Sequence, residues 1–245
     1  MNKEDVLYIV IPAYNESENI KQLIIDWYPV IEKHDGGGKS RLVVINDGSK
    51  DNTYDILCNL AKTRPLLLPV TKENGGHGAT VLYGYKYAIE QGADYIFQTD
   101  SDGQTLPSEF DAFWKRREKY DMVIGWRRGR EDGISRLFVT KVLKLVVRLC
   151  FGVNVRDANT PFRLMKRTTL EKYINIIPKD YFLTNVIVSV IFARKGCKVC
   201  YMPITFRPRQ GGVNSINLKK IFGIGKQALK DFKEINKKLA DCSRD

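Results

Sequence analysis

Short apolar runs alternate with longer amphipathic stretches through the first hundred residues. Residues 6–11, 41–45 and 66–70 are almost continuously hydrophobic, which is typical of strands buried on both faces of a parallel sheet. In the stretches between them, apolar residues recur every three or four positions, as in helices with one buried face. The alternation predicts a mostly parallel α/β sheet with right-handed crossovers.

A fourth run, residues 95–99, ends at two carboxylates separated by one residue, Asp100 and Asp102. Alternation along the chain places both side chains on the same side. Two acids held so close repel each other, and a hard cation such as Mg²⁺ or Mn²⁺, with phosphate oxygens completing its shell, relieves the repulsion. The alternative is a simple turn, because Asp, Ser and Gly all favour turns.

Polar residues also follow the first two predicted strands. Asn15 and Glu16 follow the first and Asp47 follows the second. The carboxyl ends of parallel strands meet at one edge, where open α/β sheets bind ligands. Asn15 could instead only cap the helix that follows.

A glycine-rich loop, residues 74–79, precedes the third predicted helix. Its glycines allow close approach to a phosphate, which a helix N-terminus also favours. The loop has neither the GxGxxG nor the GxxxxGK[ST] pattern, so a dinucleotide enzyme or a P-loop NTPase is not favoured.

Basic residues concentrate in the second half of the chain. Residues 126–245 carry 26 Lys and Arg against 9 Asp and Glu, whereas residues 1–125 carry 14 against 19. Such a charge suits an anionic membrane, a phosphorylated ligand or nucleic acid. This half also predicts a strand at 121–125, helices at 134–151 and 181–194, and a last strand at 199–206.

Composition and cysteine content indicate the class of protein and its cellular compartment. With 245 residues and 43% hydrophobic residues, the chain can bury a core. Five scattered cysteines do not form a disulfide framework and indicate a reducing, cytoplasmic compartment. Cys197 and Cys200 have CxxC spacing without a second pair, which favours small core residues over zinc or redox chemistry. No signal peptide and no membrane-spanning helix are expected.

Three of these segments resemble the signatures of the inverting GT-A glycosyltransferases of family 2, in the same order and at suitable spacing. They are Pro12–Glu16, Asn46–Ser49 and Asp100–Asp102. The nearest resemblance is to the branch with dolichyl-phosphate mannose synthase and bacterial polyprenyl-phosphate sugar transferases, and it covers roughly residues 5–215. It implies a Rossmann-like GT-A fold, a mostly parallel sheet flanked by helices, followed by a C-terminal amphipathic helix. Residues 1–125 would form the nucleotide-sugar half of the domain, 126–215 the acceptor half and 216–245 the basic helix.

The resemblance implies a nucleoside-diphosphate sugar as donor, with Asp47 near the base and Glu16 near the ribose. Asn46 departs from the family, which more often has Asp there, so Asp47 is expected to be the essential residue. The cofactor would be Mg²⁺ or Mn²⁺ on Asp100, Asp102 and Gln104. The implied nucleotide-binding residues are Pro12, Ala13, Tyr14, Glu16, Asp47, Gly76 and Asp100.

The resemblance also implies an acceptor site in the basic half. Arg207 and Arg209 would neutralise charge on the leaving group, from a loop that resembles the family's lid. The residues expected to bind the acceptor phosphate are Arg127, Arg136, Thr140, Arg163, Arg209 and Ser215. The catalytic residues would be Asp100, Asp102, Arg127, Arg136, Asp157 and Arg209.

The acceptor is predicted to be a phosphate. Many relatives that glycosylate hydroxyls carry an acidic pair where this chain has Thr184 and Asn185. A sugar hydroxyl needs a general base, whereas a phosphate monoester is largely ionised at neutral pH. We therefore expect a polyprenyl phosphate acceptor and peripheral association with the cytoplasmic membrane face.

Two alternatives stay open. The acceptor could be a saccharide hydroxyl of a surface polymer, with Asp157 as the base. A non-catalytic nucleic-acid-binding protein would explain the charge but not the acids at three strand ends, so no nucleic-acid partner is predicted.

Two predicted basic amphipathic helices are candidates for contact with a membrane. In residues 134–151, Arg136, Thr140, Lys144 and Arg148 form one stripe, so this helix could lie in a membrane interface or pack on the sheet. The helix predicted from residue 216 to 239 could rest on an anionic leaflet, pack on the domain or pair with another subunit.

Overall fold

The computed structural model describes residues 5–127, 134–208 and 230–240, with side chains in the helix at 134–151 described from residue 142 onward. One seven-stranded sheet organises these residues, in the order β3-β2-β1-β4-β6-β5-β7. Only β6 runs antiparallel to its neighbours among the described strands. The strands are β1 Leu7–Ala13, β2 Arg41–Asp47, β3 Leu67–Lys72, β4 Tyr95–Gln98, β5 Met122–Arg127, β6 Arg163–Lys166 and β7 Val199–Ile204.

Helices cover both faces of the sheet. The predicted α/β alternation is confirmed, and the helix predicted at 134–151 has those bounds. The sequence did not predict β6, α4 or α6, which are only four to seven residues long. The helices are α1 Ile20–Lys33, α2 Thr53–Ala61, α3 His77–Glu90, α4 Phe110–Trp114, α5 Ile134–Phe151, α6 Arg167–Tyr173, α7 Thr184–Arg194 and α8, residues 230–240.

The core has two layers, one on each face of the sheet. Alternate residues of β1 face opposite layers, so Val10 packs towards α3 and α7 while Ile9 packs towards α1 and α4. Helix α3 lies close to the sheet because Gly84 has no side chain. A Cβ there would come within 2.3 Å of Val10 Cγ1. The N-terminus of α3 is thereby held over the edge where β1, β2 and β4 end.

The reversed strand β6 brings a distant segment to that same edge. Its first residue, Arg163, pairs with Gln98 at the end of β4 and with Ile124 in β5. Because β6 runs antiparallel, the residues just before it lie at the carboxyl edge of the parallel strands. The segment that ends at Phe162 therefore comes to the edge at which β4 ends.

Helix α8 packs on the domain. Phe232, Ile235 and Leu239 are buried in the core layer under α7, and the ring of Phe232 lies 5.2 Å from that of Phe151. Asn236 Nδ2 also donates to the carbonyl of Cys150 at 3.0 Å. Of the three alternatives for the C-terminal helix, packing on the domain holds for residues 230–240. The rest of that predicted helix, and the boundary at 215, lie outside the described residues.

Helix α5 buries one side and exposes another. Val147 and Phe151 are in the core, whereas Val142, Leu145 and Leu149 are 42%, 57% and 75% exposed. The buried side is consistent with packing on the sheet, and the exposed apolar side is consistent with a position in a membrane interface. In the described part of the chain, each helix falls short of the length and hydropathy that a membrane span requires.

The CxxC pair does not form a site. Cys197 packs with the core layer under α7, and Cys200 packs with the layer on the other side of the sheet. The two thiols therefore lie on opposite sides of the sheet, each partly buried against a core layer.

Candidate active site

Hydrogen bonds join the loops after β1 and β2. Asn15 N donates to Ser49 Oγ at 2.9 Å, and Lys50 N donates to Asn15 Oδ1 at 2.8 Å. Asn15 adopts a left-handed backbone, φ 52°, which Asn tolerates better than most residues. These bonds hold the loop of Pro12–Glu16 against that of Asn46–Ser49. Pro12 and Ala13 are buried at the end of β1, and Tyr14 is 42% exposed beside them.

Glu16 joins the first loop to the residues after β4. Its buried carboxylate accepts a bond from Ser101 Oγ at 3.2 Å and another from Asn19 Nδ2 at 3.1 Å. Ser101 therefore faces the β1 loop. Its neighbour Asp100 instead contacts His77, the first residue of α3.

Asp47 organises the glycine-rich loop. Its buried carboxylate accepts bonds from Lys72 Nζ at 2.6 Å and from the backbone N–H groups of Gly75 and Gly76 at 2.9 Å each. Burial alone would raise the pKa of Asp47, but these donors outweigh it and the pKa lies below its usual value. A carboxylate has about four lone-pair positions, so Asp47 keeps acceptor capacity beyond these three bonds. The structure brings two predicted nucleotide-binding residues, Asp47 and Gly76, into contact.

Asp100 has a partner that the sequence interpretation missed. His77, the first residue of α3, lies with Nε2 2.9 Å from Asp100 Oδ1, and Gln98 Nε2 donates to the same oxygen at 3.3 Å. Burial alone would raise the pKa of Asp100, but His77 lowers it below the ordinary value. The signal was a histidine at a helix start directly after two loop glycines.

The pKa of His77 responds to three carboxylates. Partial burial of the imidazole lowers its pKa, but Asp100, Asp102 and Asp47 together raise it above the usual value. Carboxylates that follow two strands, β2 and β4, thus act electrostatically on one imidazole, and that of Asp100 contacts it. The resulting negative field suits a divalent cation and its phosphate ligands.

The donor set fits a hard cation. Asp100 and Asp102 supply carboxylate oxygens, the ligands that Mg²⁺ and Mn²⁺ prefer. Across the described ranges, no three His, Cys, Asp or Glu side chains are grouped so as to hold a metal by themselves. Gln104, the third predicted ligand, donates from its backbone to Asp102 Oδ1 at 3.2 Å and from Nε2 to the carbonyl of Arg207 at 2.8 Å. Its side chain therefore ties the acidic turn to the start of the predicted basic lid.

Arg127 and Asp157 form a bidentate ion pair. Arg127 Nε and Nη2 donate to the two Asp157 oxygens at 2.9 and 2.8 Å, and the Arg127 backbone N–H donates at 3.2 Å. Both side chains are nearly buried, 7% and 11% exposed. Arg127 also lowers the pKa of Asp100 electrostatically, after the larger effects of burial, His77 and Gln98.

Arg163 has a different position from the one expected of a phosphate ligand. It is fully buried, and its guanidinium donates to the carbonyls of Ala158, Thr160 and Asn185 and to Ser189 Oγ. These bonds tie the segment before β6 to α7. The predicted contact with the acceptor is corrected, because the guanidinium is enclosed by protein carbonyls.

Four other predicted acceptor residues are not placed. Arg136 and Thr140 lie in α5 where side chains are outside the described residues. Arg209 and Ser215 also lie outside the described residues. Their assignments stay predictions.

A mixed sheet flanked by helices, with acids at the carboxyl ends of β1, β2 and β4, is the GT-A fold of sugar-nucleotide-dependent transferases. The chain belongs to glycosyl transferase family 2, whose sequence profile matches residues 8–174.

Curated relatives match most of the chain at low identity. An undecaprenyl-phosphate 4-deoxy-4-formamido-L-arabinose transferase from Pseudomonas syringae is 29% identical over 78% of this chain, which spans only 56% of that protein. A polyprenol monophosphomannose synthase from Mycolicibacterium smegmatis is 26% identical over 85% of this chain and 80% of its own length.

Solved structures share the fold. Glucosyl-3-phosphoglycerate synthase from Mycobacterium tuberculosis, in complex with phosphoglyceric acid, superposes with a TM-score of 0.69 at 17% identity, covering 94% of this chain and 80% of that one. The same enzyme in complex with Mn²⁺ and UDP-glucose gives a TM-score of 0.65, again at 17% identity, covering 94% of this chain and 79% of that one. At this identity, the likeness concerns the fold alone.

Proposed function

We propose that the protein transfers a sugar from a nucleoside diphosphate to a polyprenyl phosphate, with inversion at the anomeric carbon. The observation that carries the choice of acceptor is the bidentate pair of Arg127 and Asp157. Asp157 is the acid proposed to activate a hydroxyl acceptor, and both its oxygens are held by a guanidinium. A phosphate acceptor needs no such base, because it is already ionised. Two relatives named for undecaprenyl-phosphate and polyprenol substrates support the same acceptor class.

The donor would lie over the edge formed by β1, β2 and β4. Tyr14, Glu16 and Asp47 would bind the nucleoside, and the loop ending at Gly76 would approach the diphosphate. Asp100 and Asp102, with Gln104 close by, would hold Mg²⁺ or Mn²⁺, which offsets diphosphate charge as a Lewis acid. The structural neighbour that binds Mn²⁺ and UDP-glucose supports a divalent ion.

The reaction would be a direct displacement. An oxygen of the acceptor phosphate would form a bond to the anomeric carbon while the bond from that carbon to the diphosphate breaks. Arg127, Arg136, Thr140, Arg209 and Ser215 would hold the acceptor phosphate. Arg207 with Arg209 would stabilise the departing nucleoside diphosphate. Cationic groups placed where charge develops supply much of the rate enhancement in transfer reactions.

The test follows the labelled sugar. Purified protein is incubated with Mn²⁺, a polyprenyl phosphate and each of UDP-, GDP- and dTDP-linked sugars in turn, and the product is partitioned between organic and aqueous phases. We expect label in the organic phase with one nucleotide, as an acid-labile lipid-linked sugar. Label only on an added oligosaccharide acceptor would favour the second candidate, transfer to a saccharide hydroxyl.

A peripheral position on the membrane would bring the enzyme to its acceptor. The outer side of α5 carries an exposed apolar stripe, Val142, Leu145 and Leu149, spaced as one helix face. Lys144 and Arg148 are exposed on the same helix. Apolar residues beside cations suit the interface of an anionic leaflet, with the long basic side chains reaching the headgroups. The four described cysteines are free thiols, which supports the cytoplasmic face.

Charging this stripe should release the protein from membranes. We expect the double substitution Leu145→Glu and Leu149→Glu to lower affinity for phosphatidylglycerol vesicles about 100-fold or more, since each buried leucine contributes about 1.5–3 kcal/mol and about 1.4 kcal/mol is a factor of ten. Vesicle co-sedimentation measures this. Ile25→Glu, at a residue 44% exposed on α1, is the control and should bind as the wild type does. Unchanged binding by the double variant would remove α5 from the proposed membrane surface.

A further inference from the structure

We infer that His77 and Gln98 are positioning residues for Asp100: both hold its Oδ1 oxygen, so that Oδ2 is the oxygen presented to the divalent cation. This inference rests on the metal site within the proposed function. Neither residue was among those expected to act at the site from the sequence.

Two side chains contact the same oxygen of Asp100. His77 Nε2 lies 2.9 Å and Gln98 Nε2 lies 3.3 Å from Asp100 Oδ1. Across residues 5–127, 134–208 and 230–240, no hydrogen bond reaches Asp100 Oδ2. A carboxylate held in this way can rotate only by giving up both bonds. Its orientation is therefore set before any ligand arrives.

A buried tyrosine fixes the orientation of the Gln98 amide. Tyr85 Oη donates to Gln98 Oε1 at 2.7 Å, and both side chains are fully buried. Burial raises the pKa of Tyr85, so its hydroxyl keeps the proton that it donates. With Oε1 bound to this hydroxyl, the Nε2 group must face Asp100. The buried Tyr85 therefore fixes the Gln98 amide that donates to Asp100.

The backbone of His77 is held just as closely. At the next residue, Gly78, an added Cβ would come within 2.4 Å of the carbonyl oxygens of Tyr181 and Phe182. Thr184 Oγ1 donates to the Gly78 carbonyl at 2.8 Å, which fastens the start of α3 to the start of α7. The imidazole itself is 52% exposed, so it reaches Asp100 from the solvent side.

One-oxygen ligation suits a particular class of metal. Mg²⁺ and Mn²⁺ favour octahedral shells, whereas Ca²⁺ takes six to eight oxygens and often binds both oxygens of a carboxylate. Holding Oδ1 on two N–H donors leaves Asp100 one oxygen for a metal. His77 and Gln98 therefore favour the smaller ions over Ca²⁺.

The experiment measures metal binding directly. Mn²⁺ is titrated into protein with saturating UDP, GDP or dTDP in turn, and free Mn²⁺ is followed by electron paramagnetic resonance. We expect His77→Ala to raise the Mn²⁺ dissociation constant about tenfold, the lower end of the usual loss when a partner of a metal ligand is removed. His77→Gln, whose amide can donate in place of Nε2, should stay within about threefold of the wild type. Tyr83→Ala, on an exposed part of the same helix, should bind as the wild type does.

A second variant tests the buried donor. Gln98→Glu keeps the acceptor for Tyr85 but replaces the donor to Asp100 with a carboxylate, so it should weaken Mn²⁺ binding at least as much as His77→Ala. Wild-type Mn²⁺ affinity in His77→Ala would overturn the inference, and so would a His77→Gln variant as weak as His77→Ala. If the wild type binds no Mn²⁺ with UDP, GDP or dTDP, the proposed metal site itself is wrong.

Discussion

Replacing Asp102 with asparagine is expected to lower sugar transfer by about 10²- to 10³-fold and to abolish Mn²⁺-dependent stabilisation by the nucleotide sugar. The substitution keeps the shape of the side chain and removes one of the two charges that would hold the cation. Charge stabilisation of the leaving diphosphate is then lost, and groups that stabilise developing charge have effects of this size. Initial rates and thermal shifts with and without Mn²⁺ measure both effects.

The control removes the charge of an aspartate that lies away from the proposed site. Asp55→Asn alters an exposed aspartate of α2 and should leave both rates and thermal shifts at wild-type values. A ligand that binds only the folded state raises the melting temperature, so a metal-dependent shift reports the site directly. Wild-type transfer by Asp102→Asn would show that the segment after β4 is only a turn.

Breaking the Arg127–Asp157 pair is expected to weaken both folding and acceptor binding. Asp157→Asn leaves a nearly buried guanidinium without its charged partner, which costs about 3 kcal/mol in the free energy of unfolding. The acceptor KM should rise about tenfold, because Arg127 is no longer held in place, while kcat stays within about threefold. Urea unfolding and steady-state kinetics with a polyprenyl phosphate measure these changes.

A double-mutant cycle with Arg127→Gln measures the interaction energy between Arg127 and Asp157, separately from the effect of each substitution alone. The double variant should lose less stability than the sum of the two single variants, with a coupling of about 1 kcal/mol or more. Glu171→Gln breaks the more exposed Arg167–Glu171 pair and should cost under about 0.5 kcal/mol. If Asp157→Asn instead lowered kcat more than about 100-fold at unchanged acceptor KM, Asp157 would be a general base and the acceptor a hydroxyl.

Local pattern was sufficient for much of the fold. Each strand from β1 to β4 is a short apolar run followed by polar residues, and burial of the whole of β1 follows from its composition. Asp47, Asp100 and Asp102 were found because they stand where those runs end. The strand β6 escaped prediction because it has four residues and includes two basic ones, Arg163 and Lys166.

Contacts between segments that are distant in the chain determined the features that local pattern did not predict. His77 and Asp100 are 23 residues apart, and nothing in either segment alone indicates that the imidazole reaches Oδ1. Arg163 was expected to bind the acceptor phosphate from the family resemblance alone, yet the carbonyls around it come from the loop before β6 and from α7. The apolar side of α8 was compatible with a membrane, a second subunit or the domain, and the core layer at Phe151 accommodates it.

By itself, the sequence determined the α/β architecture, the family and the acidic edge, since these depend on hydrophobic periodicity and on which residues follow each strand. Only the tertiary structure decided that Asp157 pairs with Arg127, that Arg163 is buried and that His77 and Gln98 hold Asp100. The physical reason is that hydrogen bonds and ion pairs depend on distances of about 3 Å, and packing sets those distances between residues far apart in the chain.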